Sequence, residues 1–557
     1  MTTLDSAKAW LEQDPDPETR AELEALIPAA ESGDAAAMDA LRDRFDTRLT
    51  FGTAGLRGEL GAGSNRMNRV LVSQAATGFA RWLLDRDENA SVVIGYDGRV
   101  NSGVFARDSA ELMAGAGVRV VLLPRMLPTP LVAFAVRHLG VSAGIMVTAS
   151  HNPPRDNGYK VYLGGRDGGS QIVAPSDEQI HAAIVAVAET EVIGDLPRST
   201  DYEVADESVI DAYIERTAAV ALDEHAPREQ VPFVYTAMHG VGWEVSQRVF
   251  AAAGLGEPTV VAEQIEPDGA FPTVAFPNPE EPGAMDLSFE TASRAGAALI
   301  IANDPDADRL AVAVPDSSEA AGWRRLSGNA VGALLGWRVA ERLQRSGTQA
   351  KLAASLVSSP ALAAVASAYG LSYSDTLTGF KWISRVGGLG YGFEEALGYL
   401  VNPGTIRDKD GISAAVDFVA LVGELAAQGR TLDDHQREFD ERFGAFASAQ
   451  VSLRVTDLSR IGAIMAALRD NPPSEIGGQR VAQVDDFIGG FGVFPAGDIL
   501  RFWMLDGSRV IVRPSGTEPK VKVYIDASSD AGSVDERRES AAARVAALDA
   551  GMRGLIA

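Results

Sequence analysis

Residues 148–154 (TASHNPP) bring a hydroxyl, an imidazole and an amide together within three positions, at Ser150, His151 and Asn152. The segment directly follows the apolar run 143–148 (AGIMVT), which is predicted to be a buried strand. Loops at the carboxyl ends of parallel strands are where open α/β sheets bind ligands. Serine acts as a nucleophile only beside a base or a metal. This segment, the serine loop, is therefore a candidate nucleophile site, and the alternative is an ordinary Asn-Pro turn.

Residues 304–309 (DPDADR), the aspartate loop, also follow an apolar run, 298–302 (ALIIA). Carboxylates at alternate positions of a tight loop can converge on one hard cation, and Mg²⁺ takes about six oxygen ligands. A calcium-binding EF-hand is excluded, because Arg309 stands where that loop needs glycine and Pro315 where it needs glutamate. The remaining alternative is a solvated acidic turn. The candidate metal ligands are Asp304, Asp306 and Asp308.

Residues 392–399 (GFEEALGY), the glutamate loop, carry two adjacent acidic side chains between glycines. Glu394 and Glu395 could accept hydrogen bonds from the hydroxyl groups of a sugar, because a carboxylate offers only acceptor atoms. The pattern is equally typical of a surface turn, so on its own it decides nothing about the ligand.

Residues 513–520 (RPSGTEPK), the phosphate loop, lie between two strand-like runs. An arginine, two hydroxyls, a lysine and a glycine that permits close approach of the backbone are groups that bind a phosphate monoester. The segment is not a Walker A loop, because GxxxxGK[ST] occurs nowhere in the chain. The alternative is a structural turn. The candidate phosphate ligands are Arg513, Ser515, Gly516, Thr517 and Lys520.

Two further basic residues lie in glycine-containing segments, Arg57 in 51–58 (FGTAGLRG) and Lys381 in 379–383 (GFKWI). Lysine is scarce in this chain, since only seven of its 50 basic residues are lysines. A lysine inside a candidate site is therefore more informative than an arginine there.

The composition excludes several classes of function. The formal net charge of −26 argues against sequence-independent binding to nucleic acid or to an anionic membrane, since both need a basic surface. The absence of cysteine excludes disulfides, thiolate nucleophiles and Cys-ligated metals. The first residues do not read as a secretory signal, and no run of 18 apolar residues occurs. We therefore expect a cytoplasmic protein.

The candidate loops must be positioned by an alternation of short apolar runs and helix-like segments of 10–15 residues, which predicts parallel α/β architecture. The alternation occurs three times, and after about residue 450 the order changes to strands with fewer helices. This predicts three related α/β domains followed by a smaller C-terminal α+β domain. The expected boundaries are 1–205, 206–325, 326–445 and 446–557, the first domain including helices up to about residue 48.

Taken together and in this order, TASHNPP, DPDADR, GFEEALGY and RPSGTEPK resemble the loops of the α-D-phosphohexomutase superfamily, which contains the phosphoglucomutases and phosphomannomutases. The resemblance covers the chain from about residue 50 onward. The FEEALG form of the glutamate loop looks most like the long bacterial phosphoglucomutase branch that also contains the phosphopentomutase type. The resemblance implies four domains around a central cleft, each contributing one loop.

The resemblance also implies a role for each candidate residue. Ser150 would be a phosphoserine whose phosphoryl oxygen, with the three aspartates, holds one Mg²⁺ per chain. Lys381 would be a general acid or base. The groups around the transferring phosphoryl would be Arg57, His151, Lys160 (in NGYK) and Arg309. The ligands of the sugar hydroxyls and of the non-reacting phosphate would be Glu394, Arg513, Ser515, Gly516 and Thr517.

One position departs from the family pattern: a serine usually stands two places after the sugar-binding glutamate, and here that position is Ala396. This leaves the identity of the sugar open. The leading hypothesis is interconversion of glucose 1-phosphate and glucose 6-phosphate through a phosphoserine enzyme and a hexose 1,6-bisphosphate intermediate. The alternatives are a phosphomannomutase or phosphopentomutase, a metal-dependent sugar phosphatase, and a silent sugar-phosphate-binding protein. Sugar phosphates are the expected partners, and the sequence does not decide the oligomeric state.

Overall fold

The computed structural model of the chain describes residues 2–222, 227–455, 457, 459–515 and 520–556. It divides into two compact units. Unit 1 comprises the chain up to residue 326 together with 398–420, and unit 2 comprises 327–397 together with the chain from 421 onward.

Three helices form the beginning of unit 1, as the sequence predicts. Each begins at a side chain that accepts a hydrogen bond from the first turn, at Thr2, Asp16 and Asp34. Leu23 and Leu41 are fully buried where the helices pack together. The helices are α1 (Thr3–Gln13), α2 (Pro17–Glu31) and α3 (Ala35–Phe45).

The first sheet of unit 1 has the strand order β1-β5-β4-β2-β3-β7, with β6 beside β5. Strands β2, β3, β4 and β7 run parallel, whereas β5 is antiparallel to β4 and β1 is antiparallel to β5. The strands are β1 (Leu56–Glu59), β2 (Ser91–Tyr96), β3 (Arg119–Leu122), β4 (Ala143–Val147), β5 (Asp156–Leu163), β6 (Ser170–Gln171) and β7 (Glu203–Val204). The accompanying helices are α4 (Arg69–Leu84), α5 (Ser102–Gly115), α6 (Thr129–His138) and α7 (Ser176–Thr190).

The second sheet of unit 1 has the order β12-β11-β10-β8-β9, with β8, β9 and β10 parallel and with β11 and β12 antiparallel. Its strands are β8 (Phe233–Thr236), β9 (Thr259–Val260), β10 (Leu299–Asn303), β11 (Leu310–Pro315) and β12 (Trp323–Arg325). Its helices are α8 (Glu207–Ala218), α9 (Gly242–Ala252) and α10 (Asp286–Ala295).

Unit 2 contains the third α/β region, in which β14, β13 and β15 are adjacent and parallel. Its elements are α11 (Gly328–Ser346), β13 (Lys351–Ser355), α12 (Ala361–Ala368), β14 (Ser372–Thr376), α13 (Phe380–Ile383) and β15 (Leu389–Glu394). The chain continues through β16 (Gly398–Leu400), α14 (Gly411–Ala427) and α15 (Leu432–Phe443). Residues 398–420, with β16 and the first part of α14, belong to unit 1.

The C-terminal part of unit 2 is a six-stranded antiparallel sheet in the order β17-β22-β21-β20-β19-β18. An apolar cluster that includes Leu356, Val357, Ile511 and Tyr524 packs the third α/β region against this sheet. The elements are β17 (Ala445–Arg454), α16 (Ser459–Asp470), β18 (Glu475–Ile476), β19 (Gln479–Asp486), β20 (Leu500–Met504), β21 (Arg509–Pro514), β22 (Lys520–Ser529) and α17 (Val534–Ile556). The predicted fold class, three α/β regions and a C-terminal α+β region, is confirmed.

Within the described part of the chain, no single helix is long and apolar enough to cross a membrane. Helices α14 and α15 meet that criterion only as a pair, and they are bent at 96° to each other.

Candidate active site

The serine loop begins where β4 ends, and Ser150 lies in it almost completely buried, at 2% exposure. Its backbone φ is +52°, a left-handed conformation that residues other than glycine seldom adopt. The backbone N–H of Ser150 donates to Oγ1 of Thr148 at 2.8 Å. Its hydroxyl donates to Oδ2 of Asp304 at 2.9 Å and lies 3.1 Å from Nδ1 of His151. The structure therefore brings the serine loop and the aspartate loop into direct contact, within unit 1.

The aspartate loop connects β10 to β11, and its three carboxylates are fully buried. One oxygen of each carboxylate lies within 4.8 Å of the others, a spacing that could hold a metal ion. The Oδ1 atoms of Asp306 and Asp308 are buried without a hydrogen-bond partner in the described structure. Buried carboxylate oxygens without a partner are costly, so this donor set fits a hard cation such as Mg²⁺.

Two lysines neutralise the other side of the carboxylate cluster. Lys160, on β5, donates to Oδ2 of Asp306 at 2.6 Å and to Oδ2 of Asp308 at 2.7 Å. Lys409 donates to the same oxygen of Asp308 at 2.5 Å. Burial by itself would lower the pKa of Lys160, but the charges of Asp306 and Asp308 outweigh it and raise that pKa. Burial and then these neighbouring carboxylates raise the pKa of Asp304.

Lys409 is a site residue that the motifs do not predict. It precedes α14, and Asp408 beside it accepts hydrogen bonds from the hydroxyl of Tyr162 at 2.9 Å and from Nε2 of Gln171 at 2.8 Å. These bonds fasten the segment to β5 and β6 of the first sheet. The scarcity of lysine was the one sequence signal that could have drawn attention to Lys409.

Arg57, His151 and Arg309 lie around the serine loop and the aspartate loop. Arg57, on β1, donates to Oδ1 of Asn152 at 3.1 Å. Nε of Arg309 lies 3.9 Å from Oδ2 of Asp304. Burial, followed by the charges of Arg309 and Arg57, holds the pKa of His151 well below its usual value. Both effects favour the neutral form of the imidazole of His151.

The predicted sugar-binding residues and Lys381 lie in unit 2. Glu394 ends β15 and is half-buried, and Lys381 lies in α13. Oε2 of Glu395 accepts hydrogen bonds at 3.0 Å from the hydroxyls of Ser355 and Ser358, and burial raises its pKa. This oxygen of Glu395 anchors the glutamate loop to the end of β13 and to the segment that follows it.

The phosphate loop is described only in part, and of its predicted ligands Gly516 and Thr517 lie outside the described residues. Arg513 donates from Nη1 to Oγ1 of Thr378 at 2.7 Å. The backbone N–H of Ser515 donates to the carbonyl of Lys520 at 2.8 Å. Because Thr378 lies three residues before Lys381, the structure brings the arginine of the phosphate loop to the segment that carries Lys381.

Unit 1 thus contains a buried hydroxyl, three carboxylates able to hold a cation, and several cationic side chains within hydrogen-bonding or ion-pair distance. Such a set can position and neutralise a phosphoryl group on or near Ser150. Unit 2 contains carboxylate, arginine and lysine side chains of the kind that bind the hydroxyl and phosphate groups of a sugar phosphate.

Comparison with family models finds four consecutive matches. The phosphoglucomutase/phosphomannomutase alpha/beta/alpha domains I, II and III match residues 48–191, 211–317 and 327–443. The C-terminal domain of the same family matches residues 453–544.

Several known sequences and solved structures resemble the chain over most of its length. A Haemophilus influenzae protein named a "probable phosphomannomutase" is 58% identical over 83% of this chain and 93% of its own. A phosphopentomutase of Mus musculus is 35% identical over 94% of this chain and 90% of its own length. A phosphoglucomutase of Staphylococcus aureus is 33% identical over 87% of this chain and 90% of its own length. The fold matches the crystal structure of a phosphoglucomutase/phosphomannomutase family protein from Burkholderia thailandensis with a TM-score of 0.69, at 21% identity over 92% of this chain and 97% of that one.

Proposed function

The chain belongs to the phosphoglucomutase/phosphomannomutase family, and from this membership we propose that it interconverts glucose 1-phosphate and glucose 6-phosphate through a phosphoserine at Ser150. It is an isomerase of the phosphomutase type. The sugar, the phosphoserine and the role of each residue are the proposed part. They rest on the geometry of the site and on the motifs.

The observation that supports the proposal most directly is the hydrogen bond of 2.9 Å from the hydroxyl of Ser150 to Asp304. It brings the candidate nucleophile to the three carboxylates, two of which have buried oxygens without a hydrogen-bond partner among the described residues. A catalytically silent protein has no physical reason to retain so costly a cluster.

We assign Asp304, Asp306, Asp308 and an oxygen of the group on Ser150 as the ligands of one Mg²⁺. When bound, this ion supplies charge neutralisation to the transferring phosphoryl group. Lys160 and Arg309 bring further positive charge to the same place, and Arg57 orients the serine loop through Asn152. The neutral imidazole of His151 can donate or accept one hydrogen bond at Ser150.

The reaction proceeds in two transfers. The bond from Oγ of Ser150 to phosphorus breaks while a bond forms from phosphorus to the oxygen of the free hydroxyl of the sugar monophosphate. That hydroxyl gives its proton to a base, which we assign to the neutral amine of Lys381, and the released Oγ takes up one proton to become the serine hydroxyl. The product is hexose 1,6-bisphosphate. After this intermediate has turned end for end, the bond from its other phosphorus to the sugar oxygen breaks and a bond forms from that phosphorus to Oγ of Ser150. The serine hydroxyl gives up its proton, the sugar oxygen takes one up from the protonated Lys381, and the isomeric monophosphate is left.

The remaining predicted residues are assigned to recognition of the sugar phosphate. The carboxylates of Glu394 and Glu395 would accept hydrogen bonds from the sugar hydroxyls. The end of the substrate that is not reacting would be held by the phosphate loop. The residues proposed for this second role are Arg513, Ser515, Gly516, Thr517 and Lys520.

Mannose and pentose phosphates are the competing substrates within the same mechanism. Among the relatives, one carries the name phosphomannomutase and another phosphopentomutase. Ala396, which replaces a hydroxyl-bearing residue of the family pattern, removes one possible contact with the sugar. The choice among sugars therefore needs a direct measurement.

The test is a panel of the 1-phosphates of glucose, mannose, ribose and deoxyribose, each with Mg²⁺ and a trace of hexose 1,6-bisphosphate. Isomer and free phosphate are measured in the same samples, with Ser150→Ala as the control. We expect glucose 1-phosphate to react fastest without phosphate release, and Ser150→Ala to retain less than about a hundredth of the rate, because the covalent route is lost. A preference for mannose or a pentose would correct the substrate, and phosphate release without an isomer would identify a phosphatase.

Intact mass provides a second readout that does not depend on turnover. The protein as isolated should contain a fraction heavier by about 80 Da, the mass added by one phosphate group, and mapping should place it on Ser150. Phosphate on another residue, or a Ser150→Ala variant that keeps its activity, would refute the assignment of the nucleophile.

A further inference from the structure

Arg99, which belongs to none of the four motifs, donates hydrogen bonds to three backbone carbonyls of the serine loop and to one just after it. Nη2 donates to the carbonyls of Ser150 and Asn152, both at 2.6 Å. Nη1 donates to the carbonyl of Pro153 at 2.8 Å and to that of Asp156 at 2.9 Å. One guanidinium group therefore holds four carbonyls between the end of β4 and the beginning of β5.

The guanidinium group is itself held from two sides. Its side chain is 1% exposed, and Nε lies 3.6 Å from Oδ2 of Asp97, whose Oδ1 accepts from the backbone N–H of Arg99 at 3.0 Å. The ring of Phe271, from the second sheet's region of unit 1, covers the group at 5.0 Å. The segment that carries Phe271 lies close to the backbone next to Arg99: a Cβ added at Gly269 would be only 2.8 Å from the backbone nitrogen of Val100.

We propose that Arg99 is the positioning residue that keeps Ser150 in its left-handed conformation, and with it the reacting oxygen against the aspartate loop. This inference rests on the proposed function, since it assigns to Arg99 the orientation of the phosphoryl carrier. A non-glycine residue stays at φ +52° only where the surrounding structure determines its backbone. At Ser150 the carbonyl is held by Arg99 and the N–H by Thr148.

A planar guanidinium group is suited to this role because its two terminal nitrogens can each donate two hydrogen bonds in fixed directions. A lysine at position 99 would keep the positive charge and most of the side-chain volume. It could donate at most three hydrogen bonds, all from one atom, and could not reproduce the fork. Arg99→Lys therefore separates the hydrogen-bond geometry from the charge.

The experiment compares the full-length wild type with Arg99→Lys and with a control, Arg166→Lys, whose side chain in the same domain is 94% exposed. Mutase turnover is measured with Mg²⁺, and amide hydrogen exchange is measured on peptides covering residues 148–156. We expect Arg99→Lys to lower kcat at least about tenfold, because small misplacements of a reacting group are costly. KM for the sugar phosphate should stay within about threefold, and exchange in 148–156 should be faster. The control should match the wild type in all three.

The inference is overturned if Arg99→Lys keeps kcat within about twofold and leaves exchange in 148–156 unchanged. It is also overturned if exchange rises equally throughout the domain, because Arg99 would then stabilise the fold rather than the loop. If Arg99→Lys does not fold, Phe271→Leu is used instead, because it removes only the aromatic ring that covers the guanidinium group. We expect Phe271→Leu also to lower kcat and to speed exchange in 148–156, but by smaller factors than Arg99→Lys. If the wild type forms no isomer and carries no phosphate on Ser150, the proposed function is refuted and not the role of Arg99. Hydrogen exchange in 148–156 then still measures whether Arg99 stabilises the serine loop.

Discussion

Gly240 lies directly against the aspartate loop, and the effect of adding one methyl group there can be worked out from the structure. A Cβ at this position would lie 2.3 Å from both the Cα and the carbonyl oxygen of Pro305. The backbone of Gly240 does not have a positive φ, so alanine can adopt its conformation. The perturbation is therefore purely steric, and it acts on the backbone between Asp304 and Asp306.

The size of the effect follows from the distance that must be recovered. Ordinary van der Waals contact begins at 3.4 Å, so Pro305 and residue 240 must separate by about 1 Å. The hydrogen bond of 2.9 Å from the N–H of Val241 to the carbonyl of Pro305 resists this separation. Overpacking of this kind lowers the free energy of unfolding by about 1–3 kcal/mol. A displacement of about 1 Å in a reacting site lowers the rate by about a hundredfold.

The assay is mutase kcat at saturating sugar phosphate over a titration of Mg²⁺, with urea unfolding measured in parallel. Gly194→Ala is the matched control, because its Cβ would meet nothing within 4 Å and its φ is also not positive. We expect Gly240→Ala to need more Mg²⁺ and to have about a hundredfold lower kcat, and Gly194→Ala to match the wild type. A Gly240→Ala variant with kcat and Mg²⁺ requirement within about threefold of the wild type would refute the reasoning.

Three further outcomes are expected. Lys409→Met should lower the free energy of unfolding by about 1–3 kcal/mol in EDTA, because Asp308 loses one of its two neutralising ammonium groups. With Mg²⁺ present the loss should be smaller. Equal losses in urea unfolding under the two conditions would contradict this prediction. His435 is stacked on Trp337, and burial lowers its pKa to about 4. Between about pH 6.5 and 4 the imidazole therefore takes up a proton in the unfolded chain but not in the native protein. The free energy of unfolding should fall by up to about 3 kcal/mol as the pH falls through this range. His435→Phe should show a smaller loss in urea midpoints between pH 7 and 4.5, and parallel curves would count against it. Finally, EDTA should abolish turnover and added Mg²⁺ should restore it; a rate that EDTA leaves unchanged would exclude the proposed metal dependence.

Much of the fold could be predicted from local patterns. The apolar runs 143–148 and 298–302 correspond within one residue to the strands β4 and β10, because the buried strands of a parallel sheet are apolar on both faces. The order of strands and helices therefore indicated α/β architecture. Strand β5 was not predicted, because polar residues interrupt the apolar pattern of its sequence DNGYKVYL; one of them, Lys160, forms ion pairs with Asp306 and Asp308.

The sequence by itself identified the candidate reacting groups of this protein. In TASHNPP and DPDADR the candidate functional groups are close neighbours in the sequence. Each loop follows a buried strand, and only the few residues of the turn at the end of such a strand can reach a ligand. The family, and with it the class of reaction, could be recognised from these segments and from the glutamate and phosphate loops in their order along the chain.

Only the tertiary structure decided which distant residues hold those groups in place. Arg99 lies 51 residues before Ser150, and Lys409 lies 101 residues after Asp308, yet both are within hydrogen-bonding distance of their partners. No local pattern distinguishes them, because their roles depend on strand order and on the direction in which a side chain leaves its sheet. A buried carboxylate or carbonyl needs a partner wherever the chain can supply one, and folding rather than spacing selects the residue that supplies it.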